Sequence, residues 1–135
     1  MNPEPRTFHL TLPVPDQVLS PNARPHWAVK RRAVKAAREL AWGEARARWC
    51  WHGAPMRRVR LALFWTIIGR RCPDLDNLNA SCKAYLDGIA DAGVIADDSA
   101  RTVVAIESSY CLYHAASERA PRSTVAIRLT EVSGE

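Results

Sequence analysis

Apolar positions recur along this chain with two periods, and the switches between them mark its elements. From Thr7 to Leu12 every second residue is apolar, with Phe8, Leu10 and Leu12 on one face, so a strand is expected, closed by Pro13 and Pro15. Ser20 to Trp27 holds two prolines and reads as a loop. From Trp27 to about Trp49 the chain has no proline and only Gly43. Ala33, Val34, Ala37, Leu40, Ala41 and Ala45 can share a helical face there, which predicts a long first helix. After the break at His52-Gly53-Ala54-Pro55, the period returns to two from Arg58 to Ile68, with Val59, Leu61, Leu63, Trp65 and Ile67 on one face. Leu78, Cys82, Tyr85, Leu86 and Ile89 then recur at three and four, predicting a second helix from Asn77 to about Asp91 that stops at Gly93. Strands at about Arg101–Tyr113 and Ser123–Glu131 complete the order β-α-β-α-β-β. That order implies a two-layer α/β fold, one mixed four-stranded sheet with two main helices packed on it, in a single domain spanning 1–135.

Composition narrows the class. The longest apolar run, Leu61 to Ile68, is far too short to span a bilayer. The first twenty residues carry Glu4, Arg6, Asp16 and four prolines, unlike a signal peptide, so a cytoplasmic protein is expected. Cys50, Cys72, Cys82 and Cys111 have no CxxC spacing and form no metal pair with His9, His26, His52 or His114, which favours free thiols.

Charge is divided unevenly. The net charge is +5. Residues 24–71 hold thirteen Lys or Arg against two Glu, +11, whereas residues 72–98 hold one Lys against six Asp, −5. A basic half beside an acidic cluster suits a polyanion-binding protein with a cation-loaded centre.

The acidic stretch is Pro73 to Asp98, PDLDNLNASCKAYLDGIADAGVIADD. Asp74 and Asp76, two apart on an extended segment, point the same way. A helix from Asn77 to Asp91 runs roughly 20 Å at ~1.5 Å per residue, and an extended return from Gly93 to Asp98 covers roughly 20 Å at ~3.3 Å per residue. A chain that doubles back therefore returns Asp98 to Asp74 and Asp76. Three converging carboxylates need a cation between them, and an all-oxygen set favours Mg²⁺ or Mn²⁺ over zinc. The plainer alternative is that Asp76 caps a helix and that Asp97 or Asp98 sits in a turn.

On the first helix, Lys30, Arg31, Lys35 and Arg38 fall mainly on the wet side, and two acids cannot pair with most of them. Phosphate contact is the expected role, against that of an ordinary solvated face. Arg70 and Arg71, just before the acidic stretch, either neutralise it or clamp phosphate. Trp27, Trp42, Trp49 and Trp51 are expected in core or dimer packing rather than stacked on bases.

Three pieces of the chain together resemble the RusA-type Holliday-junction resolvases, small endonucleases of phages and prophages. They are the first strand leading to Ser20-Pro21-Asn22 and the basic helix; Asp74-Leu75-Asp76-Asn77-Leu78; and Asp87-Gly88 followed by Ala92-Gly93-Val94-Ile95 and Asp97-Asp98. The resemblance implies a homodimeric, Mg²⁺- or Mn²⁺-dependent nuclease that cuts four-way DNA junctions by paired nicks. It assigns the essential carboxylates to Asp74, Asp76 and Asp98, with Asp97 beside them as helper or neighbour. The family lysine falls four residues beyond the second aspartate, where this chain has Ala80; Lys83, one turn on, can take its place. Asn77 would orient a carboxylate or cap the helix, with Asn22 supporting from the first loop. Arg24, Lys30, Arg31, Lys35, Arg38, Arg70 and Arg71 would hold DNA phosphates. Two rivals remain: a non-catalytic branched-DNA-binding protein of prophage origin, and a nuclease for other branched or flap DNA.

Overall fold

A computed structural model of the chain describes residues 4–49, 53–70 and 74–133. The strands are β1 (Thr7–Pro13), β2 (Val59–Ile68), β3 (Val103–Tyr113) and β4 (Thr124–Glu131). They form one mixed sheet in the order β1-β4-β2-β3, with β2 and β3 parallel and β4 antiparallel to both its neighbours. The helices are α1 (Trp27–Trp49), α2 (Leu75–Ser81) and α3 (Lys83–Asp91), so the fold is the expected α/β layer pair. A crossover through α2 and α3 is what lets β2 and β3 run parallel.

Strand alternation sets the core. Phe8, Leu10 and Leu12, then Val59, Leu61, Leu63 and Trp65, then Val125, Ile127 and Leu129 are all buried on one sheet face. Ala41, Ala45 and Trp49 of α1, with Tyr85 and Ile89 of α3, cover them. Two readings need correction. Leu40, expected inward, is exposed, because Ala37, Ala41, Ala45 and Trp49 already complete the inward stripe at a spacing of four. The single helix from Asn77 to Asp91 is two, joined at Cys82, which keeps a helical backbone (φ −80°, ψ −4°) while its amide bonds to Asn79 and Ala80 carbonyls.

α1 and α3 meet where there is no side chain. A Cβ on Gly88 would lie 3.0 Å from both the Ala41 Cβ and the Trp42 amide nitrogen, and would collide with the Arg38 carbonyl oxygen. The basic helix therefore touches the acidic one backbone to backbone. Gly93 has φ +87°, the left-handed stop its position suggested, and turns the chain into Val94 and Ile95, both buried.

Arg6 ties the ends of the sheet. Its guanidinium donates to Glu131 at 2.7 Å and to the Ala54 carbonyl at 2.8 Å, and lies over the Trp49 ring. The hydrogen bonds from Arg6 hold the Glu131 carboxyl below the usual glutamate range. A depressed folded-state pKa gives stability that is complete above the unfolded value, about 4.3, and is lost as pH falls through the folded one. Glu131→Gln should cost about 1 kcal/mol at neutral pH for this half-buried pair. That difference from wild type should close in denaturant titrations carried below about pH 4.

Candidate functional site

Asp74 begins the site as the cap of α2. Its side chain accepts from the Asp76 amide at 2.9 Å, and its own backbone is extended at φ −80°, ψ 119°. The capping residue is thus Asp74 rather than Asp76, since the helix starts at Leu75, two residues before the expected start at Asn77. Asp76 occupies the first turn, where a negative charge is favoured by the helix dipole. Asn77 is half-buried in the same turn.

At the far end, the chain doubles back after Gly93. Met56 donates its amide to Val94 and accepts from Ala96, which fixes the returning segment beside the start of β2. The return brings Asp98 to Lys83, Nζ to Oδ2 2.8 Å, while the same ammonium lies 3.5 Å from Asp87 Oδ1. The two carboxyls also influence each other's titration. Burial pushes the Asp87 carboxyl up, whereas Lys83 first and then Asp87 hold Asp98 down. The Lys83 ammonium is raised by its bond to Asp98.

The structure thus joins Lys83, Asp87 and Asp98 but does not gather Asp74, Asp76 and Asp98 into one group. Among the described residues, no three His, Cys, Asp or Glu side chains converge enough to hold an ion. The Asp98 carboxyl is set chiefly by Lys83 and then Asp87. Asp97 turns away to accept from the Ser99 amide and hydroxyl, a turn role. The donor types nonetheless suit a hard cation. Cys82 is fully buried between α2 and α3, and burial pushes its thiol up to about 12, so no thiolate competes.

Of the basic residues, Arg24, Lys30, Arg31, Lys35 and Arg70 are exposed, and Arg71 lies outside the described residues. Lys35 reaches Glu39 only loosely, at 3.9 Å. Arg38 is committed: it makes a two-pronged bond to Asp91 of α3, Nη2 to Oδ1 2.9 Å, beside the Gly88 contact. Asn22 lies in the exposed loop before α1, its amide donating to the Ser20 hydroxyl at 3.4 Å. Trp49 is core, but Trp27 and Trp42 are 68% and 47% exposed on α1. Trp51, Cys50 and Cys72 lie outside the described residues.

One positioning group is absent from the sequence reading. The buried Trp65 indole of β2 donates to the Ser108 hydroxyl of β3 at 3.2 Å, which donates to Asn79 Oδ1 of α2 at 2.8 Å. This relay pins α2, and with it the capped aspartates, to the sheet. Its only sequence signal was a polar Asn79 inside an apolar pattern. Trp65→Phe should cost at least about 1 kcal/mol, because the Ser108 hydroxyl loses the donor it accepts from, and hydrogen exchange should quicken in α2 before the rest of the fold.

No protein-family model matches the chain. An 85-residue stretch, 62% of the chain, is 47% identical to an uncharacterized protein of Xylella fastidiosa (strain Temecula1 / ATCC 700964). That match covers 56% of the relative, so the chain spans little more than half its length. Among the described residues no helix is long and apolar enough to cross a membrane.

Proposed function

We propose that this chain is a metal-dependent, structure-selective DNA endonuclease of the RusA type, which acts as a homodimer to resolve four-way (Holliday) junctions by paired nicks. The observation that carries this reading is the meeting of Lys83 and Asp98, fifteen residues apart, beside Asp87 and one helix on from the Asp74–Asp76 pair. A lysine that only solubilised the surface would have no need of a returning segment to meet it. Mg²⁺, or Mn²⁺ in its place, is assigned to the Asp74, Asp76 and Asp98 carboxylates, which stand apart here and would have to close on one another to hold it. When bound, such an ion lowers the pKa of an attacking water and offsets charge on the scissile phosphate. Lys83 supplies a positive charge to the developing negative charge of the transition state. Lys30, Arg31 and Lys35, with Arg24 and Arg70, give phosphate contacts without base readout, so junction binding should weaken steeply with salt.

A second reading, a branched-DNA-binding protein without chemistry, is favoured by one observation: Asp74 serves as a cap and the three aspartates stand apart. A third, cleavage of flaps or other branched DNA, uses the same residues on a different substrate. One assay separates them: a mobile four-way junction, a flap and a linear duplex, each with Mg²⁺, Mn²⁺ or EDTA. The expected result is junction cutting with either ion and none in EDTA. Asp76→Asn should lower the rate by about a thousand-fold with junction binding retained. Binding without any cutting by the wild-type protein would establish the second reading, and preferential flap cutting the third.

A further inference from the structure

α1 is divided by charge. Trp27 to Arg38 hold Lys30, Arg31, Arg32, Lys35 and Arg38 and no acid, whereas the rest of the helix holds Glu39 and Glu44 against Arg46 and Arg48. Lys30, Arg31 and Arg32 have no ion-pair partner among the described residues. An indole stands at the head of this basic half. Trp27 is 68% exposed, more than any other large apolar side chain among the described residues. Nor is its ring loose. His26 takes the cap position of α1: its Nδ1 accepts from the Ala28 amide at 3.2 Å and its carbonyl accepts from the Val29 and Lys30 amides at 3.0 and 3.1 Å. The imidazole so fixed leans on the Trp27 indole, with ring centroids 5.6 Å and planes 33° apart. Trp27 and Arg38 are about three helical turns apart, so they share one side of α1 at a separation of roughly 16 Å, with Arg31 between them. Arg38 is bonded to Asp91 and feels the charges of Asp87 and Asp98, so that side of the helix leads to the candidate site.

We infer that Trp27, braced by His26 and flanked by Arg24 and Arg31, is a stacking platform for an unpaired base of DNA, and so a residue that selects branched over fully paired substrate. The cations decide the occupant. A polyanion offsets them, whereas an apolar partner surface laid on the ring would have to bury them unpaired. An unpaired nucleotide brings both things the patch can hold, a flat face for the indole and a phosphate for the arginines. A linear duplex offers the phosphates alone, because its bases are already stacked on one another. The ring therefore adds affinity only where a base is free, and it does so without reading which base it is. This deepens the function proposed above and rests on its DNA-binding half, not on cleavage.

The test is equilibrium binding in EDTA, so that cutting plays no part, with a four-way junction, a linear duplex and a short oligothymidylate as probes. Trp27→Ala should weaken binding to the junction and to the oligothymidylate about ten- to a hundred-fold. Duplex binding and the melting curve should stay as in the wild type, and Trp27→Phe should recover most of the loss. The salt dependence of Trp27→Ala should match the wild type, because no phosphate contact is removed. Arg31→Ala should instead weaken all three probes and lower the salt slope by about one. With 5-iodouracil in place of a thymine at the branch, irradiation should crosslink the strand to the peptide that carries Trp27. Equal losses on duplex and single strand, no loss on either, or a crosslink confined to other elements would overturn the inference. So would a wild-type chain that binds no single strand, or a Trp27→Ala chain altered only in its mass by sedimentation, which would make the ring a contact between copies. The cutting assay above is separate. A protein that stacks a base and never cuts keeps this inference and loses the nuclease, whereas a nuclease that still prefers junction to duplex after Trp27→Ala loses this inference alone.

Discussion

Gly88→Ala should lower the melting temperature by about 10 °C, while Gly43→Ala, on α1, should raise it slightly. Both replace a helical glycine by the best helix former, so propensity alone predicts a gain of about 1 kcal/mol for each. At Gly43 the added methyl meets nothing within 4 Å, and the gain stands. At Gly88 it meets the backbone of α1, where the Arg38 carbonyl and the Trp42 amide cannot rotate away. The two helices must separate, which loosens the packing of Ala41 and Ala45 against the core and lengthens the Arg38–Asp91 bond. Overpacking of this kind costs about 3 kcal/mol, or about 10 °C for a domain of this size. Thermal melts of the two variants side by side decide it, because a shared sign would mean that the contact is not what holds α1 to α3.

Asp98→Asn should leave a folded, junction-binding protein whose cutting is about a thousand-fold slower. The asparagine keeps the shape but loses the charge that meets Lys83 at 2.8 Å. As a stabilising pair this contact is minor. The Lys83 side chain is 72% exposed, and solvent-screened pairs contribute under about 1 kcal/mol. In the proposed reaction the same charge would be worth several kcal/mol to the transition state. A large loss of rate with an unchanged melting curve would assign the pair to chemistry. A large loss of stability with rate intact would assign it to the fold. Lys83→Ala should follow the same pattern with a smaller loss, about a hundred-fold, because it acts on one charge of the transition state.

Much of this was legible in the residues because the dominant signal is periodic. The two-residue alternation in Phe8, Leu10 and Leu12 and in Val59 to Trp65 gave the buried sheet face directly. Trp27 and Trp49 bounded α1 as expected. The return of the chain after Gly93 could also be read, since a left-handed stop followed by apolar residues has few other outcomes. What could not be read was where that return would end. Segment lengths permit Asp98 to reach Asp74, but the pairing of Met56 with Ile95, a contact between distant parts of the sequence, sets it beside Lys83 and Asp87. Likewise Arg38 has the spacing of a solvent-facing arginine, and only the close approach at Gly88 delivers it to Asp91. The Trp65–Ser108–Asn79 relay was invisible for the same reason, because hydrogen bonds across three elements leave no period behind.

Cys82 sits at the joint between α2 and α3, sealed from solvent, with its thiol pushed up to about 12. Burial keeps this sulfur in its thiol form at neutral pH, whereas alkylating reagents attack the thiolate. Labelling at this sulfur therefore waits for the joint to open, and its rate keeps time for the breathing of that segment. The chain carries its own clock for the opening of the joint between α2 and α3.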